Sequence, residues 1–553
     1  MSRKKHKHRK SVPAQLPPPE LMELVAIVER TQSGALSAEQ HAKLKTAITT
    51  LAFLMEELRK KQASLARLRR MLFGAPTEKT RAVIEAHSPQ STTSPNRAGE
   101  NEADLRAKAP GHGRHGAAAY TGADKVSVPH PALQGGQACP GCEKGRVYAM
   151  AESSVLVRIT GVAPLGATLY ECDRLRCNLC GEIYTAPAPE GVGTQKYDAT
   201  ATSMIGLLKY GTGLPFNRIE TLQAGMRIPL PAATQWDLVR AGAEDLAPAH
   251  EALIRHAAQG TVLYNDDTTM KVLQLTREQR AAALSDEVSE QRTGVFTSGI
   301  VATRDAQKIA LFFTGARHAG ENLGALLARR AAQLPAPIQM CDALSSNTAN
   351  DFDTLLASCL SHSRRKYVEL AESFPEEVRF VLQTLREVYK TDAQAHREGL
   401  DPQARLLRHQ AESGPRMEVL ARWMRAQLDE RRVEPNSSLG EAIRYMQSHW
   451  TELTLFLRTP EAPLDNNVCE RALKKAILHR KNALFYKTLN GARVGDIFMS
   501  LIHTAELNHV APFEYLVSLQ RHVDAVRANP DEWMPWNYAA TLARYTAGAG
   551  PPG

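Results

Sequence analysis

The sequence predicts a multidomain α/β protein, with a large core behind several smaller modules. Three observations lead there. Strand-like apolar runs alternate with helical ones between residues 257 and 365. A leucine heptad lies far upstream of them, and two Cys-x-x-Cys pairs stand in between. At 553 residues the chain is long enough for several domains and a sizeable core. Its 43% apolar and 23% charged residues are ordinary globular composition. No stretch approaches the roughly 18 apolar residues that a membrane span needs.

Residues 1–36 begin with Arg3, Lys4, Lys5, Lys7, Arg9 and Lys10, turn Pro-rich, and predict a basic disordered tail. No apolar run follows that basic start, so it does not read as a secretory signal, and a cytoplasmic, nucleoid-associated protein is expected. The formal net charge of +9 favours a polyanionic partner. Over residues 37–86, Leu44, Leu51, Leu58, Leu65 and Leu72 recur every seventh position, with Ile48 and Met55 between them. Polar Gln62 and Arg69 interrupt that second seam. This is a leucine zipper pattern, which predicts a coiled coil and a homo-oligomer. Residues 87–136, rich at first in Ser, Thr, Pro, Gly, Ala and His, predict a linker.

The segment 137–190 holds Cys139-Pro140-Gly141-Cys142 and Cys177-Asn178-Leu179-Cys180, joined by a Val-, Ile- and Thr-rich stretch from Ser154 to Tyr170. Each pair puts two thiolates on one turn, and two such turns complete a closed tetrahedral site. A zinc ribbon with structural Zn²⁺ on Cys139, Cys142, Cys177 and Cys180 is expected. Cys172 is left over and reads as a buried thiol. Within 191–256, three helical segments (Thr200–Tyr210, Pro215–Ala224 and Ala232–Ala247) predict a helix-turn-helix-like DNA-binding module.

The core opens with strands at Thr261–Asp266, Gly294–Thr303 and Lys308–Thr314, then a helix at Glu321–Gln333, then strands at Ala336–Asp342 and Leu355–Leu360. This is the order of a ribonuclease H-like α/β domain, whose first part would span 257–365. Residues 366–460 are helical and charged and predict an insertion. The final core helix is expected within 461–510, opening at Asp465-Asn466-Asn467, whose side-chain oxygens cap a helix start. Residues 511–553 form a C-terminal segment.

Asp266 and Asp342 stand at the ends of two predicted strands, and Glu470 one turn into a helix. In such a sheet the first and fourth strands are neighbours, so both aspartates can meet, and a packed helix can deliver the third carboxylate. Oxygen ligands suit Mg²⁺ and Mn²⁺. Two such ions activate an attacking oxygen and stabilise a leaving one. Asp267 competes with Asp266, because strand alternation lets only one of them face the site. Asp465 competes with Glu470, although a capping role suits it better. Arg364, Arg365, Lys366, Arg471, Lys474, Arg480 and Lys481 are candidates for contacts to a phosphate backbone. Cys359 and His362 read as a packed thiol and a hydrogen-bonding imidazole.

Several stretches resemble transposases of the insertion sequence 66 family. These are Leu68-Arg69-Arg70-Met71-Leu72-Phe73-Gly74 with Thr77-Glu78-Lys79; the two cysteine pairs with Ala186-Pro187-Ala188-Pro189; and Cys359, His362, Arg364, Arg365 and Lys366. The most specific are Asp465 to Leu473, Arg480 to Phe485, and Ser500 to Asn508. The resemblance implies a ribonuclease H-like core with an Asp-Asp-Glu triad at Asp266, Asp342 and Glu470, cutting and joining double-stranded DNA at element ends and target with two Mg²⁺ or Mn²⁺ ions. It also implies small companion proteins encoded beside the transposase. The family usually has Asp-Glu-Thr-Pro where Asp266-Asp267-Thr268-Thr269 stands, and a small residue before the second aspartate, where Cys341 stands. A DNA-binding accessory protein without catalysis, and a metal-dependent nuclease that does not join, are the competing readings.

Overall fold

In the computed structural model the chain divides into two units, residues 1–88 and 89–553. The residues described are 195–275 and 294–548 (all but Asn350), short stretches between 164 and 190, and scattered earlier positions. The zipper leucines other than Leu44, the linker to residue 133 and all four paired cysteines lie outside the described residues.

A two-stranded antiparallel pair, β1 (Arg174–Arg176) and β2 (Ile183–Thr185), flanks the second Cys-x-x-Cys in sequence. Cys172, expected to be buried, is an exposed free thiol: it precedes β1 in an extended stretch that packs against little of the described chain.

Next come α1 (Ala199–Gly206), continued by a π-helical turn at Leu207–Gly211, then α2 (Phe216–Gly225) and α3 (Ala232–Ala258). Asp198 caps α1 by accepting the amides of Thr200 and Ala201 at 3.1 Å each. The third helix is longer than its sequence pattern suggested. It carries Pro248 internally and runs to Ala258, burying Leu246, Ala249, Ala252, Leu253 and Ala257. It packs on the sheet and on the helices behind it, which accounts for its extra three turns.

The sheet has five strands: β3 (Val262–Thr269), β4 (Phe296–Arg304), β5 (Gln307–Gly315), β6 (Ile338–Cys341) and β7 (Leu355–Ser358). Their order is β5-β4-β3-β6-β7. The first three are antiparallel; β6 and β7 are parallel to β3 and to each other. The central strands read as near-continuous apolar runs because both faces are covered. Between β5 and β6 lies α4 (Ala319–Leu327), and α5 (Leu360–Val368) follows β7.

The expected insertion is helical: α6 (Pro375–Arg397), α7 (Pro402–Arg408) with a π-turn at His409–Ser413, α8 (Gly414–Asp429), α9 (Ser438–Ser448) and α10 (Trp450–Leu453). A buried ion-pair cluster orders it. Asp392 accepts Arg405 at 2.7 Å and faces His409 at 3.1 Å, and Arg405 also donates to the carbonyl of Ala462 at 3.0 Å. The insertion is thereby tied to the segment leading into α11 (Asn467–Ala483).

Where one final helix was expected there are two, α11 and α12 (Leu489–Leu507), followed by α13 (Pro512–Arg521), α14 (Val523–Ala528) and α15 (Tyr538–Gly548). α12 covers the outer edge of the sheet. Its Asp496, Ser500, Thr504 and Asn508, four residues apart, meet the outward amides of Thr314, Phe312, Ala310 and Lys308 at 2.7, 3.1, 3.0 and 3.3 Å. Four helical residues rise about 6 Å and two strand residues about 6.8 Å, so the two ladders stay nearly in step. An edge strand that would otherwise offer free amides is closed by side chains.

Candidate active site

The parallel pairing of β3 with β6 runs Val262↔Ile338, Leu263↔Gln339 and Tyr264↔Met340. Two residues further along the same register stand Asp266 and Asp342. Asp266 was expected to end its strand. Instead β3 runs on to Thr269, because its pairing with β4 persists to Thr269↔Phe296 after the pairing with β6 has stopped. Asp266 therefore sits where the sheet opens on one side only, at the carboxyl end of the parallel pair, where α/β sheets place their ligands.

A single side chain joins the two aspartates. Asn347, buried at 1% exposure, donates its amide to Asp342 Oδ1 at 2.6 Å and to Asp266 Oδ1 at 3.4 Å. The Asn347 backbone carbonyl accepts from the side-chain amides of Asn265 at 2.6 Å and Gln339 at 2.8 Å, so a buried amide network stands behind the pair. Asp266 Oδ1 also accepts the Asp267 amide at 2.8 Å, and Asp342 Oδ1 that of Leu344 at 3.3 Å. One oxygen of each carboxylate is thus held by the protein, with no hydrogen bond to its Oδ2 among the described residues. Burial first, then the nearby Asp342 and Glu470, push the Asp266 carboxyl up to about 7, against the pull of the Asp267 amide.

Glu470 lies in the first turn of α11, which packs across β3 and β4. Gly299 opposite Asp266 permits this approach: a Cβ there would stand 2.9 Å from the Leu473 side chain and 3.4 Å from Cys469 Sγ. Asp465 accepts the backbone and side-chain amides of Asn467 at 3.1 and 2.6 Å in a turn just before the helix, whose N-cap is Asn466, not Asp465 as expected. Asn466 instead turns its amide to the Asn265 carbonyl, 3.0 Å away, fastening α11 to β3.

Alternation separates Asp267 from Asp266. The Asp267 carboxylate accepts Ser298 at 2.7 Å and the Ala319 amide at 3.0 Å, and meets His318 at 3.0 Å. It sits at the N-terminus of α4, the end that favours a negative charge, and its oxygens are occupied there.

Cys359 and His362 behave differently from the sequence reading. Cys359 is buried, as a packed thiol should be, and its Sγ accepts the Asn466 amide at 3.2 Å. Yet together with Glu470, 108 positions beyond His362, the two form a group whose ligand atoms all lie within 4.8 Å of one another. Among the described residues this is the one such group of three, so Asp266, Asp342 and Glu470 are spaced more widely. Tyr445, from α9, was not anticipated either: Lys366 lies 4.2 Å from the centroid of its ring. Nothing in the local pattern around Asn347 or Tyr445 marks them; only the fold brings them in.

Of the basic candidates, Lys366, Arg471, Lys474 and Lys481 are exposed, and Arg364 and Arg365 are partly buried with α5. Arg480 turns back to β3, donating to Thr268 Oγ1 at 3.1 Å and Thr269 Oγ1 at 2.6 Å. Its guanidinium clamps α11 to the strand.

The fold and this cluster define a mixed α/β protein with acidic side chains gathered at the ends of two neighbouring parallel strands. Comparison gives the family: residues 195–494, more than half of the chain, match the model described as "Transposase IS66 family", and the chain belongs to that family. It is similar to the uncharacterized protein y4jD of Sinorhizobium fredii, at 25% identity over 533 residues, covering 91% of this chain and 98% of that protein. The uncharacterized protein y4hP of the same organism is 25% identical over 405 residues, 67% of this chain and 68% of its own. No helix of the described residues is long and apolar enough to cross a membrane.

Proposed function

We propose that the protein is a DNA transposase whose ribonuclease H-like core cleaves DNA at the ends of an insertion sequence and joins the ends to a target, with Asp266, Asp342 and Glu470 holding Mg²⁺ or Mn²⁺. The observation that carries this is the placement of Asp266 and Asp342 on adjacent parallel strands, bridged by the Asn347 amide, with Glu470 brought alongside by α11.

The donor set suits the ions. All three ligands are carboxylates, the class that hard divalent cations take. Burial first, then the neighbouring acids, hold Asp266 well above the usual carboxylate range, up to about 7. Such ions, when bound, supply the charge that activates an attacking oxygen and stabilises a leaving one.

The chain's own residues do the rest. Asn347 holds one oxygen each of Asp266 and Asp342, and the other has no donor among the described residues. Asp465 and Asn466 fix the start of α11 and so the position of Glu470. Lys366, Arg471, Lys474 and Lys481 offer exposed charge for the DNA backbone, with Arg364 and Arg365 beside them on α5. A structural zinc on Cys139, Cys142, Cys177 and Cys180 and a coiled coil over residues 37–86 belong to the same reading. They would supply a folded DNA-binding module and the pairing of two protomers on two element ends.

The test is cleavage and strand transfer on labelled element-end DNA with Mg²⁺ or Mn²⁺, for the parent and for Glu470→Gln. Metal-dependent cutting and joining that the variant loses is expected. Cutting without joining would leave a nuclease. Specific binding to the ends without cutting, with or without the companion proteins, would leave an accessory DNA-binding protein.

A further inference from the structure

We propose that Cys359, His362 and Glu470 form a site for a soft divalent cation of the zinc class, and that an ion there withdraws Glu470 from the hard-metal site. The second clause rests on the reading of Glu470 as a magnesium ligand; the first does not.

Cys359 caps α5 and His362 lies three residues on, so both side chains share the helix face that looks toward the first turn of α11. Glu470 meets them there, with Oε1 3.6 Å from His362 Nε2. The three ligand atoms already lie within 4.8 Å of one another. Ligands around tetrahedral zinc sit roughly 3.3–3.8 Å apart, given bonds of about 2.0–2.3 Å. A shift of about 1 Å in side chains would therefore close the site.

Two independent features mark it as a place for a ligand. His362 Nδ1 and Glu470 Oε1 are both buried polar atoms without a hydrogen-bond partner among the described residues; native proteins seldom leave such atoms unsatisfied. The ring and the carboxylate keep 24% and 27% side-chain exposure, so an ion can reach them from solvent.

The donor set selects the ion. One sulfur, one imidazole nitrogen and one carboxylate oxygen suit Zn²⁺, Co²⁺ or Cd²⁺ and disfavour Mg²⁺. Three protein ligands leave a fourth position open. Asp266 and Asp342 lie outside this group and would lose their shared partner while the cation holds Glu470.

The experiment compares the full-length parent with Cys359→Ser and, as a second variant, His362→Gln, during titration with Co²⁺. Cys139, Cys142, Cys177 and Cys180 are present in all three proteins, so the parent-minus-variant difference isolates the new site. The parent should bind one more equivalent than either variant, and the Cys359→Ser difference spectrum should carry thiolate-to-cobalt charge-transfer absorption. Superimposable titrations of parent and both variants, all folded by circular dichroism, would overturn the site. In parallel, Zn²⁺ should inhibit Mg²⁺-supported DNA cleavage in the parent, with sensitivity reduced by about 10-fold or more in Cys359→Ser. A cobalt difference without zinc inhibition would keep the cation site and overturn its claim on Glu470. Failure of all cleavage would strike the transposase reading and leave the cobalt result standing.

Discussion

The outer edge of the sheet and the open end of its central strands both bury a carboxyl group, and treat it differently. Asp496 on α12 is pushed up to about 8 by burial, yet its two oxygens accept the amide and hydroxyl of Thr314, each at 2.7 Å. Asp266 is pushed up to about 7 by burial and then by Asp342 and Glu470, and one of its oxygens has no donor among the described residues. A raised carboxyl therefore does not identify a site by itself. What separates the regions is the company: the Thr314 amide and hydroxyl in ladder register at one, further carboxylates at the other.

Substitutions at the two places should diverge most in function. Asp266→Asn should lower DNA cleavage by several kcal/mol of lost charge stabilisation, roughly a thousand-fold or more, while the protein folds normally. Asp496→Ala, which strands the Thr314 amide in the edge ladder, should leave cleavage by the folded protein near the parent level. Equal losses of cleavage in both would erase the distinction. Asn347→Ala comes next. It removes the amide that orients both aspartates, and Mn²⁺ binding by calorimetry should weaken about 10- to 100-fold; unchanged binding would reduce Asn347 to packing.

Stability should show the reverse order. Asp496→Ala should cost about 1–3 kcal/mol, the usual penalty of an unsatisfied buried donor, read by urea unfolding. Asp266→Asn should instead make the metal-free protein more resistant to urea at pH 8, because it removes a charge that the fold buries at a cost. The pH dependence follows from the same two groups. Each has a folded pKa above its unfolded value near 3.8, so the folded state binds more protons. Their stabilising contribution is complete below about pH 4 and is lost as pH rises through about 7 for Asp266 and about 8 for Asp496. The slope between pH 4 and 7 should flatten in Asp266→Asn. An unaltered slope would mean that Asp266 ionises at its ordinary pH.

The smallest effect is expected at Gly299. The methyl of Gly299→Ala would stand 2.9 Å from the buried Leu473 side chain, so that side chain or α11 must shift. Cleavage should drop less than in Asn347→Ala, through displacement of α11 and Glu470, with little change in fold. A loss as deep as that of Asp266→Asn would show that the helix has no room to adjust.

Much of the core was legible from residue patterns. The strand runs at Thr261, Gly294, Lys308, Ala336 and Leu355 all correspond to strands, within a few residues at their ends. The errors have physical causes. β3 outruns its predicted end because antiparallel pairing with β4 continues over three more residues, Asp267, Thr268 and Thr269, after the pairing with β6 has stopped. α3 outruns its prediction because tertiary burial of Leu246 to Ala257 carries it through Pro248. Cys359 and His362 looked isolated because a metal-ligand search along the sequence cannot see Glu470 arriving from another helix.

Residue identity by itself fixed the chemical inventory: hard carboxylates at strand ends, paired cysteines, a basic balance, and the motifs that place the chain among insertion sequence 66 transposases. It could not choose between Asp266 and Asp267. Alternation guarantees that neighbours face opposite sides of a sheet, but which side holds α11 and which holds α4 depends on chain crossings far along the sequence. Asn347, Tyr445 and the meeting of Cys359, His362 and Glu470 were decided the same way. Local periodicity sets the direction of each side chain, and only packing across the whole fold determines what it meets.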